Sequence, residues 1–132
     1  MLTPRRVLVV DDDEESAELL ERVIGRRGHD VRVAHDVEQA LRTARAFEPE
    51  VVLLDIMIRC ESGYFLAREL RELPNLESVR IVAMTGFTRE QLRRTSAAAG
   101  FYEHLTKPVE YGALFDALEA SEALAPPLRA AP

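Results

Sequence analysis

The sequence predicts an α/β fold with a mostly parallel sheet of five strands and helices on both faces of that sheet. Short apolar runs alternate five times with segments of helical periodicity along the 132 residues. Two of the runs, residues 7–10 and 51–54, are wholly apolar and rich in β-branched side chains, which is typical of strands buried on both faces. Aspartate follows each of these two runs directly. Because the carboxyl ends of parallel strands meet at one edge of a sheet, we expect an acidic pocket there.

The first strand is followed by a predicted helix over residues 14–27, a short strand over 31–34 and a second helix. Asp13 and Gly28 stand where the N-cap and C-cap of the first helix are expected, and Asp36 is expected to cap the second. In both helices the apolar residues recur at intervals of three and four, which predicts one buried face. They are Ala17, Leu20, Val23 and Ile24 in the first helix and Val37, Ala40, Leu41 and Ala44 in the second.

After the third strand we expect an irregular loop over residues 56–62. The helix that follows has apolar side chains on one face and ends near Pro74, because proline cannot continue a helix. Those apolar residues are Phe65, Leu66, Leu70 and Leu73. A further apolar run over residues 79–84 predicts the fourth strand.

The last part of the chain predicts a helix, a strand and a final helix. Thr88 with Gln91 three residues later has the pattern of a capping box, and Gly100 ends the helix that it opens. The fifth strand is predicted over residues 101–106. The last helix is expected to begin near Glu110 with a frayed start, because glutamate is a poor N-cap. Its apolar face is formed by Leu114, Ala117 and Leu118.

Length and composition limit the kind of protein. A chain of 132 residues can bury one core, so we predict one domain over residues 1–124 and a disordered tail over 125–132. The net charge of −6 argues against a nucleic-acid partner. Cys60 is the one cysteine, which excludes an internal disulfide. The sequence has neither a signal-peptide core nor an apolar stretch near the roughly 18 residues of a membrane span, so we expect a cytoplasmic protein without a membrane partner.

Candidate functional side chains follow four of the five predicted strands. Asp11 and Asp12 follow the first strand, Asp55 the third, Thr85 the fourth and Lys107 the fifth. Two like charges about 4 Å apart repel by roughly 4 kcal/mol at an effective dielectric constant of about 20, so clustered carboxylates need a cation. Oxygen ligands of this kind suit Mg²⁺. Lys107 is the single lysine among 17 basic residues, which favours a role for its compact charge in this site. His35 and Asp36 follow the second strand and are assigned to a turn and a cap.

These strand-end residues resemble the receiver domains of bacterial response regulators. The family has an acidic pair after strand one, a phosphoacceptor aspartate after strand three, a serine or threonine after strand four and Lys-Pro after strand five. The matching residues here are Asp11-Asp12, Asp55, Thr85 and Lys107-Pro108, and Gly63 matches a family glycine eight residues after the acceptor. The resemblance covers about residues 5–122 and implies a flavodoxin-like, doubly wound (βα)5 fold with strand order 2-1-3-4-5.

The resemblance also implies a chemical role for each residue of the acidic pocket. Asp55 would accept a phosphoryl group from the phosphohistidine of a histidine kinase. Asp12, Asp55 and the backbone carbonyl of Met57 would bind Mg²⁺ directly, and Asp11 would bind it through water. A chain with these roles would be a signalling phosphoacceptor in a two-component system or phosphorelay, and not an enzyme.

Other residues would bind or respond to the phosphoryl group. Lys107 and Thr85 would each contact one of its oxygens. In the family an aromatic residue three positions before the lysine turns inward as the Ser/Thr moves, so the resemblance implies that Thr85 and His104 form the switch. Met57 and Phe87 are bulky and apolar at the two positions that influence hydrolysis of the acyl phosphate in the family, and we therefore expect slow autodephosphorylation.

The partners implied are a sensor histidine kinase or a histidine phosphotransfer protein, and a downstream protein target. The target would dock on the face formed by the fourth helix, the fifth strand and the fifth helix. A diffusible regulator, a phosphate shuttle and a receiver of a longer protein all fit the sequence. Two other functions fit some of these residues. One is a haloacid-dehalogenase-like phosphatase, because acidic residues and a lysine follow apolar strands, and the other is a receiver-like scaffold that is not phosphorylated. The phosphatase alternative leaves Asp55 without a role.

Overall fold

The protein is described by a computed structural model over residues 3–58, 61–86 and 101–120. Its strands are β1 (Arg6–Val10), β2 (Asp30–Ala34), β3 (Val51–Asp55), β4 (Met57–Ile58), β5 (Glu61–Ser62), β6 (Arg80–Thr85) and β7 (Glu103–Thr106). Its helices, numbered here in chain order, are α1 (Glu14–Arg26), α2 (Val37–Phe47), α3 (Gly63–Arg71) and α4 (Tyr111–Glu119). Five strands form one parallel sheet in the order β2-β1-β3-β6-β7. Because β4 and β5 lie outside this sheet, β6 and β7 are its fourth and fifth strands, and the order is the predicted 2-1-3-4-5. This confirms the predicted fold class and topology.

Helices cover both faces of the sheet, and each face has its own apolar core. Leu8 and Val10 of β1 belong to the core that includes buried residues of α2 and α3. Val7 and Val9 of the same strand belong to the core that includes buried residues of α1 and α4. Successive side chains of a strand point to opposite faces, so a strand between two cores must be apolar at every position. This explains the uniform apolar runs that the sequence shows.

The predicted helix caps in the first half of the chain are confirmed in part. Asp36 caps α2 with its side chain, whereas the Asp13 side chain makes no capping hydrogen bond and the C-cap of α1 is Arg27, one residue before Gly28. The Asp36 carboxylate accepts a hydrogen bond from the backbone N–H of Gln39 (2.8 Å) and begins α2. Gly28, with φ of 111°, follows α1 in the left-handed region that glycine adopts without a steric cost. Asp13 precedes α1 with extended backbone, and its carboxylate accepts a hydrogen bond from the Ser16 hydroxyl (2.6 Å).

Two local predictions are wrong. The segment 56–62 was expected to be an irregular loop, but β4 and β5 pair antiparallel within it. β4 and β5 form a two-stranded sheet of their own outside the parallel sheet, so their backbone groups satisfy one another. The start of α4 was expected to fray, but Glu110 caps it by accepting the backbone N–H of Ala113 at 2.8 Å. The glutamate side chain is longer than that of aspartate, and it folds back to accept a backbone N–H as Asp36 does at the start of α2.

Some predictions lie outside the described residues. They concern the helix over residues 88–100, Phe87 and the tail over 125–132. Within the part of the chain that the structure describes, none of the helices has the length and apolar character needed to cross a bilayer.

The C-terminal end of α4 is fixed at the sheet edge where the strands begin. Glu119 accepts two hydrogen bonds from the Arg27 guanidinium (2.7 and 2.8 Å) and one from His29 Nε2 (2.9 Å). His29 Nδ1 accepts the backbone N–H of Arg5 (3.0 Å), so the ring proton is on Nε2. The hydrogen bonds from Arg27, and then from His29, lower the pKa of Glu119 below its usual value of 4.5.

We expect Glu119→Gln to lower the free energy of unfolding at pH 7 by about 1 kcal/mol, because charge-assisted hydrogen bonds are lost at a partly exposed site. The folded-state pKa of Glu119 is depressed, so its contribution is present above the carboxyl pKa of the unfolded chain. It is lost as pH falls through the folded-state pKa, and the variant and the parent protein should then converge. Urea unfolding between pH 7 and pH 3 measures this difference.

The matched control is Glu38→Gln, which makes the same chemical change in an exposed pair with Arg42 (3.8 Å). Its effect should stay within about 0.5 kcal/mol at pH 7. A Glu119→Gln difference that does not depend on pH would contradict the explanation by ionised hydrogen bonding.

Candidate functional site

Four strand ends bring the predicted site residues together at the carboxyl edge of the sheet. Asp11 follows β1, Asp55 ends β3, Thr85 ends β6 and Lys107 follows β7. Carboxylate oxygens of Asp11, Asp12 and Asp55 lie within 4.8 Å of one another. The acidic pocket that the sequence predicts is therefore present, and we use this name for these three residues.

Lys107 joins two of the three carboxylates. Its ammonium donates a hydrogen bond to Asp55 Oδ2 (2.9 Å) and lies 3.6 Å from Asp11 Oδ2. Burial by itself would lower the pKa of Lys107, but the hydrogen bond and charge of Asp55 and the charge of Asp11 raise it overall. The backbone N–H of Lys107 also donates to the Thr85 carbonyl (2.8 Å). This bond fixes the start of the lysine side chain against the neighbouring strand end.

Asp11 is the most deeply buried carboxylate of the acidic pocket. Its side chain is enclosed by protein, and burial raises its pKa, as do the charges of Asp55 and Asp12. The backbone N–H of Asp13 donates to Asp11 Oδ1 (3.0 Å) and, with Lys107, opposes that rise. The ionised form of Asp11 is thus destabilised by its surroundings.

The donor set of the acidic pocket fits a hard divalent cation such as Mg²⁺. Three carboxylates converge there, and Mg²⁺ prefers oxygen ligands. Among the described residues, no group donates a hydrogen bond to the buried Asp11 Oδ2, because the Lys107 ammonium at 3.6 Å is beyond hydrogen-bond distance. This buried carboxylate oxygen therefore keeps an acceptor site that a cation can use.

His35 is a neighbour of the acidic pocket that the sequence reading assigned only to a turn. Its Nδ1 donates to the Asp11 carbonyl at 3.0 Å. The contact depends on β2 lying beside β1, which apolar periodicity alone does not reveal. His104, predicted as part of the switch, is buried on β7 beside Ala83 of β6.

A groove of about 470 Å³ opens beside the acidic pocket. Its polar lining includes Asp11 and Lys107, and most of the remaining lining is apolar side chains from α1, from β6 and from residues 108–111. Leu19 and Tyr111 stand exposed at its rim. The groove therefore offers an apolar surface next to the charged edge.

Gly63 closes the backbone around Asp55. Its N–H donates to the Ile56 carbonyl (2.6 Å). A Cβ at this position would lie 2.8 Å from Ile56 Cα and 2.9 Å from the Asp55 carbonyl oxygen. Both are backbone atoms, so any side chain would displace the end of β3.

Comparisons with known proteins agree on one family. Residues 7–119 match the model of the response regulator receiver domain. An uncharacterized 14.6 kDa protein of Leptolyngbya boryana is 34% identical over 104 residues, which is 79% of each chain. The response regulator PleD of Caulobacter vibrioides is 32% identical over 110 residues, which is 83% of this chain but only 24% of PleD.

Solved structures agree with this match. The receiver domain of the sensor histidine kinase PA1611 from Pseudomonas aeruginosa, which has a magnesium ion in its active-site cleft, superposes with a TM-score of 0.77. It is 27% identical in sequence, and the match covers 88% of this chain and 95% of that one.

We expect Gly63→Ala to lower the free energy of unfolding by about 1–3 kcal/mol, because the added methyl group overpacks fixed backbone. Urea unfolding measures the loss. Gly25→Ala is the matched control, since a Cβ at that position of α1 has no neighbour within 4 Å. It should be neutral or stabilise by up to about 1 kcal/mol. Equal stability of Gly63→Ala and the parent protein would show that the end of β3 can move to make room.

Proposed function

Because the chain belongs to the response regulator receiver domain family, we propose that it is the phosphoacceptor of a two-component system or phosphorelay. In this proposal Asp55 takes a phosphoryl group from the phosphohistidine of a sensor histidine kinase or a histidine phosphotransfer protein. The observation that carries the proposal is the position of Asp55 between two acidic neighbours and the Lys107 ammonium, 2.9 Å from its carboxylate.

The chemistry is a transfer between two nucleophiles. A carboxylate oxygen of Asp55 forms a bond to phosphorus as the phosphorus–nitrogen bond to the donor histidine breaks, and the bonding electrons and a proton go to the imidazole. Bound Mg²⁺ would neutralise the charge of the phosphoryl oxygens. Asp11, Asp12, Asp55 and the Met57 carbonyl would hold that ion, with Asp11 acting through water.

Lys107 would supply the remaining positive charge. In the described structure its ammonium is shared between Asp55 and Asp11, so it lies beside the carboxylate that reacts. A phosphoryl group on Asp55 brings negative oxygens to the same place, and the ammonium would pair with one of them. The lysine therefore keeps a partner before and after transfer.

Thr85 and His104 would convert the new charge into a change of surface. Both are buried near the carboxyl edge, on the neighbouring strands β6 and β7. The Thr85 hydroxyl would donate to a phosphoryl oxygen, and the His104 ring would follow its movement. The responding surface would be the face of the predicted helix over 88–100, β7 and α4, where the downstream protein would bind.

The groove beside α1 would take part in docking the phosphoryl donor. It opens next to Asp11 and Lys107 and is rimmed by the exposed side chains of Leu19 and Tyr111. An apolar side chain placed there by the donor protein would hold its phosphohistidine close to Asp55. We infer a signalling role in the cytoplasm, without a nucleic-acid or membrane partner for this chain.

The decisive test is phosphorylation in vitro. With Mg²⁺ and acetyl phosphate, the intact mass should rise by one phosphoryl group, and Asp55→Asn or chelation of Mg²⁺ should abolish the rise. Asp30→Asn is the matched control, because Asp30 is exposed and pairs with Arg32 (2.7 Å) away from the pocket. Phosphorylation that persists in Asp55→Asn would refute the assignment of the acceptor.

Two further readouts of the same reaction separate the alternatives. Continuous hydrolysis of para-nitrophenyl phosphate would favour the phosphatase, and an unmodified mass at saturating Mg²⁺ and acetyl phosphate would favour the scaffold. After removal of the donor, we expect the phosphoryl group to remain for many minutes or longer, as the apolar residues Met57 and Phe87 predict. Loss within seconds would contradict that expectation.

The switch is tested by the nuclear magnetic resonance of the histidine rings. Addition of Mg²⁺ and beryllofluoride, a phosphoryl mimic, should change the ring signals of His104. His29 is an internal control, because its ring contacts Arg5 and Glu119 near the opposite edge of the sheet and should not respond. Unchanged His104 signals in protein that has bound beryllofluoride would exclude this residue from the switch.

A further inference from the structure

We propose that His35 is a positioning residue for the acidic pocket. Its ring holds the carbonyl of Asp11 and thereby sets the direction in which Asp12 leaves the end of β1. The proposal rests on the proposed function, in which Asp11 and Asp12 bind Mg²⁺, and it adds the residue that follows β2, which contacts neither the ion nor the phosphoryl group.

The main chain of Asp11 is hydrogen-bonded both to the last residue of β2 and to the residue that follows it. Its N–H donates to the Ala34 carbonyl at 3.0 Å, and its carbonyl accepts from His35 Nδ1 at 3.0 Å. The paired residues of β1 and β2 end with Val10 opposite Ala34. Beyond this last pair, the His35 ring supplies the hydrogen-bond donor for the Asp11 carbonyl in place of a backbone N–H of β2.

His35 is itself held in place by the start of α2. Its backbone N–H donates to Gln39 Oε1 (2.9 Å), and the Gln39 N–H donates to the Asp36 carboxylate (2.8 Å). These two bonds fix the backbone from which the ring projects. With the backbone held in this way, the hydrogen bond from Nδ1 to the Asp11 carbonyl orients the ring without any bound ion.

The orientation of the Asp11 carbonyl matters because that carbonyl belongs to the peptide group that joins Asp11 to Asp12. A buried carbonyl needs a hydrogen-bond donor, and without His35 this peptide group would turn toward another one. Such a turn would move the Asp12 carboxylate, which follows in the chain. Mg²⁺ requires nearly ideal octahedral geometry, so a misdirected carboxylate costs affinity. Groups that orient metal ligands in this way are typically worth about 10–100-fold in metal affinity.

The test is the affinity of the full chain for Mg²⁺ alone, measured by isothermal titration calorimetry. His35→Ala should weaken binding about tenfold. His35→Asn should restore most of the affinity, since its amide can donate from nearly the same place as Nδ1. His29→Asn is the matched control at the opposite edge, where loss of the Glu119 contact should lower the melting temperature and leave Mg²⁺ affinity unchanged.

A kinetic readout separates positioning from a general structural defect. At saturating Mg²⁺, His35→Ala should be phosphorylated by acetyl phosphate at the rate of the parent protein, and only the Mg²⁺ concentration for half-maximal rate should rise. If the parent protein binds Mg²⁺ and His35→Ala binds it as tightly, the positioning role is overturned. Failure of His35→Asn to recover affinity also overturns it. If the parent protein itself binds no Mg²⁺, the proposed function fails first.

Discussion

The structure depends on how negative charge is tolerated at the carboxyl edge of the sheet. Three carboxylates stand within 4.8 Å, and one of them, Asp11, is enclosed by protein. Charge at such a place is costly, as the raised pKa of Asp11 shows. A single ammonium, that of Lys107, offsets part of this cost by pairing with Asp55 and Asp11. A cation bound between the three carboxylates would remove the remaining imbalance of charge.

The sheet separates this functional edge from a stabilising edge. At the carboxyl ends of the strands three carboxylates cluster beside Lys107, and the buried Asp11 Oδ2 has no hydrogen-bond partner among the described residues. At the beginnings of the strands, Arg5, His29 and Arg80 bond to Glu119 or to carbonyls near the end of α4. The apolar cores on both faces lie between these edges and hold the strands in register. The hydrogen bonds at the edge where the strands begin thus stabilise the fold, while the carboxylates at the opposite edge repel one another.

Much of this arrangement could be predicted because burial leaves a direct trace in sequence. The runs 7–10 and 51–54 are apolar at each position since both faces of β1 and β3 are covered, and the aspartates that follow lie where parallel strands end. The strand order came from the family resemblance, because periodicity contains no information about which strands are neighbours. The role of His35 was missed for that reason, as its contact with Asp11 joins residues 24 positions apart.

The two wrong local predictions have a different cause. Residue preferences describe the average behaviour of a side chain, whereas β4 pairs with β5 and Glu110 caps α4 because of the backbone around them. A disfavoured capping residue is sufficient where its carboxylate reaches a free N–H, and a short loop forms a strand pair where its backbone groups face each other.

The end of α4 depends on a distant part of the chain. Residues 116–119, its last turn, are acidic or apolar, although a helix C-terminus is best complemented by positive charge. That charge comes from two arginines that lie outside the helix. Arg5 donates to the Ala120 carbonyl, and Arg80, which begins β6, stacks on the Tyr102 ring (4.1 Å) and donates to the carbonyls of Ala117 and Ala120. The helix therefore depends on residues outside itself. Grafted onto another scaffold, it would lack the guanidinium groups that complete its end, and a lysine in place of Arg80 would lack the planar group that both stacks and donates.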